Sequence, residues 1–116
     1  MVKKMSDMPL LMNKLGFFVL ENEADYLYLL TISHEYFLVV ESREIKRGIV
    51  YDFCKYCYHK RKKETELINI YFTGIQEIFA LKKIASFMKY MLEHGYFKTS
   101  DQSILEFSKK IINNRF

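Results

Sequence analysis

The sequence predicts an α+β domain, a small and mostly antiparallel sheet covered by helices in the order α-βββ-α-β-α-α. Three observations carry this reading. Runs rich in Phe, Tyr, Leu and Val succeed one another across residues 17–41. A strongly apolar stretch of helical period fills residues 75–94. Half of the 116 residues are hydrophobic and 16% are aromatic, which argues against disorder. A chain of this length buries about two-thirds of its unfolded surface and reads as one domain, 1–116.

A short first helix begins at Ser6 or Asp7, either of which can cap it. Pro9 lies in its first turn and Gly16 just past its end. Three β-type runs follow, 17–20, 26–32 and 35–41. Residues 21–25 connect the first pair and Ser33-His34 the second. Ser-His is not a favoured two-residue hairpin turn, so a helix through residues 24–30 competes with the second strand.

Residues 43–63, REIKRGIVYDFCKYCYHKRKK, read as one long helix with Ser42 as N-cap. Gly48 weakens it by about 1 kcal/mol relative to Ala. Winding the segment at about 100° per residue separates two faces. Ile45, Ile49, Val50, Phe53, Cys54, Tyr56 and Cys57 fall on one side. Arg47, Tyr51, Lys55, Tyr58 and Lys62 form a stripe on the other. A strand at 67–72 then ends at Thr73-Gly74. The helix at 75–94 is apolar over more than half its circumference, with Lys82, Lys83, Ser86 and Lys89 on the remaining side. A helix of that kind is central, covered by a sheet and by another helix or subunit. His94-Gly95 ends it. Thr99 and Gln102 fit a capping box for a final helix over 101–114, burying Ile104, Leu105, Phe107, Ile111 and Ile112.

The formal charge is +4, but it is unevenly spread. Residues 15–42 hold five acids and no Lys or Arg, whereas 43–63 hold eight bases against two acids. Such asymmetry steers an anionic partner to one side of the molecule. No apolar run approaches transmembrane length, and the lysine-led N-terminus lacks the continuous apolar core of a signal peptide. A cytoplasmic location without membrane attachment is the expectation. The two cysteines fit reduced thiols better than a disulfide framework.

These residues admit several chemistries. Cys54-Lys-Tyr-Cys57 has dithiol spacing, and IVYDFCKYCY resembles the strand–CxxC–helix start of the thioredoxin superfamily over about ten residues. That family needs a cis-proline facing the dithiol, and the sole proline, Pro9, lies upstream. Cys54, Cys57 and His59, with His34 or His94, offer zinc donors but no second ligand pair of the usual kind. There is no nucleophile elbow and no phosphate-binding glycine loop, so no catalytic residue and no cofactor is assigned. A helix-turn-helix built from the last two helices has too long a connection, 95–100.

The basic stripe remains. Arg47, Tyr51, Lys55, Tyr58 and Lys62, with Arg61 and Lys63 adding charge, suit phosphates and bases, or an acidic patch of a nucleoprotein. The expectation is a non-enzymatic protein that docks nucleic acid or nucleoprotein through this helix face. Its size and Lys/Ile/Phe/Asn-rich composition suit an accessory regulator or inhibitor from a mobile element. The alternative is a protein–protein adaptor or homodimer using the apolar face of helix 75–94. A third reading is a dithiol or zinc protein using Cys54 and Cys57.

Overall fold

The computed structural model describes residues 7–22 and 25–113. Five strands form one antiparallel sheet in chain order: β1 (Phe18–Asn22), β2 (Asp25–Thr31), β3 (Tyr36–Ile45), β4 (Gly48–His59) and β5 (Glu64–Gln76). Three helices accompany it: α1 (Met8–Lys14), α2 (Glu77–Glu93) and α3 (Ser103–Ile112). The α+β class and the helix-covered antiparallel sheet are therefore as the sequence predicts, and the sheet has one strand more.

That extra strand is the segment read as a long helix. Residues 43–63 complete β3, turn at Lys46-Arg47, form β4 and turn again at residues 60–63. The residue types explain this. Ile49, Val50, Tyr51, Phe53, Tyr56 and Tyr58 are β-branched or aromatic and pack well on a pleated surface. Gly48 is not a helix-interior glycine. It has φ +125°, a conformation that suits glycine, and it pairs with Ile45 across a two-residue hairpin. Ser42 caps nothing; its Oγ accepts the Tyr26 N–H at 3.2 Å, joining β3 to β2. The competing helix at 24–30 is likewise a strand wherever the chain is described.

Helix ends follow the predicted positions more closely than the predicted caps. Pro9 sits in the first turn of α1, and Gly16, with φ +97°, follows its end. A Cβ at Gly16 would lie 3.0 Å from Ile104 Cδ1, so the α3 side chain would have to give by a few tenths of an ångström, and the positive φ itself favours glycine here. Ser6 lies outside the described residues, and Asp7 makes no side-chain cap. The capping box at Thr99–Gln102 does not form. Thr99 Oγ1 instead accepts the Asp101 N–H, and Asp101 Oδ1 accepts the Ser103 N–H. The Ser103 hydroxyl also donates to Asp101 Oδ1, and that bond, followed by the one from the Ser103 N–H, holds the Asp101 carboxyl below its ordinary pKa.

Strand alternation gives the sheet two unlike faces. Tyr28, Leu30, Leu38, Val40, Tyr51 and Phe53 point to one side and are buried with Met8 and Met12 of α1, five residues of α2 (Ala80, Leu81, Ile84, Ala85, Met88), and Ile104 and Ile111 of α3. Phe53 is central, with ring contacts to Phe17, Tyr71, Phe72 and Phe87 at 4.9–6.4 Å. Most of the broad apolar arc of α2 thus packs against the sheet and α3, while Ile78, at 45%, and the neighbouring Phe79, at 58%, stay exposed. The other sheet face carries Leu29, Val39, Cys54, Tyr56 and Ile70, with no helix over it among the described residues.

The β4–β5 ribbon runs past the helices. Residues 60–70 are all exposed, and the molecule extends 50 Å along its longest axis against 31 and 20 Å across. The distal part of this ribbon is an arm whose loop is residues 60–63.

Candidate functional site

A strand redistributes the residues of the predicted stripe. A step of four keeps a side chain on the same face of a strand, whereas a step of three or seven reverses it. Tyr51 and Lys55 therefore share the helix-covered side, and Tyr58 points to the open side. Tyr51 is only 3% exposed, and its hydroxyl donates to Glu77 Oε1 at 3.2 Å, so its ring is unavailable for stacking on a ligand. Arg47 lies in the β3–β4 turn, while Arg61, Lys62 and Lys63 lie in the β4–β5 loop. The 12 residues of β4 separate these two turns by about 40 Å. The seven residues make no single surface, and the helix face expected to carry them does not exist.

Part of the set does converge. Lys55 lines a cleft of about 320 Å³ on the helix-covered side, and its Nζ stands 4.7 Å from the Tyr36 ring centroid. Tyr36 of β3, Tyr71 of β5, Phe87 and Tyr90 of α2, and Tyr96 of the α2–α3 connection complete the aromatic lining. Tyr90 is 51% and Tyr96 62% exposed. They belong to a parallel set with His94: Tyr90–His94 rings lie 4.1 Å apart and Tyr90–Tyr96 rings 6.0 Å apart. The Tyr71 phenol is pushed up by burial, partly offset by its bond with Asn69. Ile32, Ser33 and Tyr96 also line a second hollow, with His34 and Lys98 on its wall, so the cleft continues around the β2–β3 turn.

This cleft lies at the root of the arm. Tyr36 pairs with Cys57, two residues beyond Lys55 towards the loop. From Lys55 to Arg61 is about 20 Å along the strand. The loop places Lys60, Arg61, Lys62 and Lys63 in succession, all exposed. Lys63 adopts φ 54°, a conformation that costs a non-glycine residue roughly 1–2 kcal/mol. At the base of the loop His59 Nε2 bonds Glu66 Oε1 at 2.8 Å. Sequence reasoning missed Tyr36, Tyr71, Tyr90 and Tyr96, because they come from four separate elements. A hairpin signal was nevertheless present: a run of polar residues between two segments rich in β-formers.

The cysteines do not form a dithiol or a metal site. Three residues apart on a strand, they occupy opposite faces: Cys54 on the open side, Cys57 buried on the other. Burial, followed by the charges of Asp52 and Glu41, raises the Cys54 thiol pKa, the reverse of an activated nucleophile. His34, His59 and His94 lie in a turn, on the arm and after α2, and no metal-holding cluster of three donors occurs among the described residues. No described helix is long and apolar enough to cross a membrane. Comparison with protein-family models, with curated proteins and with solved structures found no match to this chain.

Proposed function

We propose that this protein is a non-enzymatic binder of single-stranded nucleic acid, taking bases in the tyrosine cleft and phosphates on the arm. The observation that supports this best is the continuity of the two features. An aromatic cleft containing Lys55 opens at the root of a ribbon that ends in four consecutive cations. Stacking a base on an aromatic ring contributes about 1–3 kcal/mol and needs an unpaired base. Loop cations act on phosphates by charge, without reading sequence. The span of about 20 Å accommodates roughly six stacked nucleotides at 3.4 Å each. Tyr51, Tyr58 and Arg47 have no part in this interface; Lys55, Arg61, Lys62 and Lys63 do.

The test is binding of labelled single-stranded RNA, single-stranded DNA and duplex DNA across a salt series. Single strands should be preferred. Tyr90→Ala/Tyr96→Ala should weaken binding by about 10-fold or more with little change in stability. Arg61→Ser/Lys62→Ser should flatten the slope of log affinity against log salt by about 1.4, the counterion share of two phosphate contacts to a single strand. Absence of binding near physiological salt, or binding that neither variant alters, would refute the proposal.

A further inference from the structure

The tyrosine cleft does not end at Tyr96. Ile32, Ser33 and Tyr96 also line the adjoining hollow, of about 640 Å³. Sheet order sets its direction. Tyr71 and Lys55 border the cleft on the ribbon side, whereas Ser33, with Thr31 of β2, carries the hollow to the opposite side. Two turns display its polar groups. In the β2–β3 turn the Tyr36 carbonyl accepts the Ile32 and Ser33 N–H groups at 3.0 and 3.3 Å, and the Glu35 carbonyl accepts the Tyr58 N–H at 2.7 Å. After α2 the Met91 carbonyl accepts the Tyr96 and Phe97 N–H groups at 2.9 and 3.2 Å. Main-chain bonds thus fix both turns. The side chains of Ser33, His34 and Lys98, all exposed, border the hollow and make no hydrogen bond or ion pair among the described residues. No carboxylate lines it. Glu35, the acid of the turn, is not part of the lining, and Glu93 is engaged by Lys89 at 2.8 Å. Asp101 borders a neighbouring hollow shared with Lys98, and its Oδ1 is taken by Ser103.

We infer that this hollow is a phosphate subsite, holding the strand's backbone one step beyond the base in the tyrosine cleft; the inference rests on the single-strand reading above and extends it. Donor chemistry is the first argument. A phosphodiester carries one negative charge and accepts hydrogen bonds at its two free oxygens. Lys98 supplies one ammonium, Ser33 a hydroxyl and His34 an imidazole. The bond to the ammonium is charge-assisted and therefore the strongest of the three. Freedom is the second argument. These donors have no protein partner to give up, and the turns that carry them are already fixed, so ligand binding orders little backbone. Position is the third. The Tyr96 ring, parallel to Tyr90 within 22° and to His94 within 10°, borders both cavities. A base stacked on the cleft side of this junction leaves its backbone beside the hollow. The strand is then gripped by phosphates on both flanks of the cleft, at the ribbon and at the β2–β3 turn.

The test is a length series of uridine oligomers bound to the full chain across a salt series. Wild type should gain affinity up to about seven nucleotides, six along the ribbon and one at the hollow. His34→Ala/Lys98→Ser alters two exposed side chains and should leave stability unchanged. The variant should level off one nucleotide earlier and bind the longest oligomer about 10-fold more weakly. Its slope of log affinity against log salt should fall by about 0.7, the counterion share of one phosphate contact to a single strand. In wild type, a bound oligomer should protect Lys98 from acetylation, read by mass spectrometry. If wild type binds but the variant keeps its plateau and its salt slope, the subsite is overturned while the cleft reading stands. If wild type binds no oligomer, the single-strand reading fails and takes the subsite with it. Should the variant fail to fold, Lys98 protection in wild type decides alone, and an unprotected Lys98 under saturating oligomer overturns the inference.

Discussion

The two ends of the β4–β5 ribbon use similar residues to opposite effect. Under α2, Tyr51 and Phe53 are buried, and the Tyr51 hydroxyl is held by Glu77. Towards the arm, Tyr36, Tyr58 and Ile68 are exposed, and four cations close the loop. Residue type does not separate these environments; position along the ribbon does, because the helices cover only its proximal part. What stabilises the fold is therefore concentrated at one end, and the candidate binding chemistry at the other.

Paired truncations sharpen this contrast most. Phe53→Ala should cost about 3–5 kcal/mol, through lost burial and a cavity among four aromatic neighbours. Ile68→Ala on the arm should stay within about 0.5 kcal/mol. Urea unfolding measures both, and a comparable loss at Ile68 would mean that the arm is covered in solution. A smaller effect comes from Tyr28, which is fully buried and whose hydroxyl has no hydrogen-bond partner among the described residues. Tyr28→Phe removes an unsatisfied buried group and should leave stability unchanged or raise it by about 1 kcal/mol. Burial, with smaller contributions from Tyr51, Tyr26 and Glu77, pushes the Tyr28 phenol well above its ordinary value of 10.0. The folded chain thus favours the neutral phenol. Its contribution is present below pH 10 and is lost as pH rises from there towards the folded value. Alkaline unfolding of Tyr28→Phe should accordingly be shallower. An effect of similar size is expected at the loop, where Lys63→Gly relieves a left-handed backbone. It should stabilise the protein by about 1 kcal/mol while removing about 0.7 from the salt slope of single-strand binding. A destabilised Lys63→Gly would show that the loop is held by contacts of the lysine side chain.

Most of the fold was legible from local pattern. Strands at 17–20, 26–32 and 35–41, and helices at 75–94 and 101–114, each overlap an observed element, as does Gly16 at the end of α1. The segment 43–63 was not read correctly because its charges cluster at both ends and its apolar residues are dense between them. Such a pattern divides into two faces at a period of 3.6 nearly as well as at 2. Its content of Ile, Val, Tyr and Phe, and the Lys-Arg-Gly turn, were the signals favouring a strand. The basic character of the site was visible in Lys60–Lys63. The cleft was not, because it forms only when β3, β5, α2 and the α2–α3 connection meet, and one sequence without its pairing register does not specify that meeting. The dithiol spacing likewise depended on the element: on a strand, three residues place the thiols on opposite faces.

The most direct test of the central claim is to locate the nucleic acid on the protein. A short uridine oligomer would be photo-crosslinked to the full chain and the adducts mapped by mass spectrometry. Adducts at Tyr36, Tyr90 or Tyr96, with the arm loop protected from lysine acetylation, are the predicted result. Adducts confined to the open sheet face around Phe37 and Tyr56, or to α3, would contradict the assignment of the tyrosine cleft as the base-binding surface.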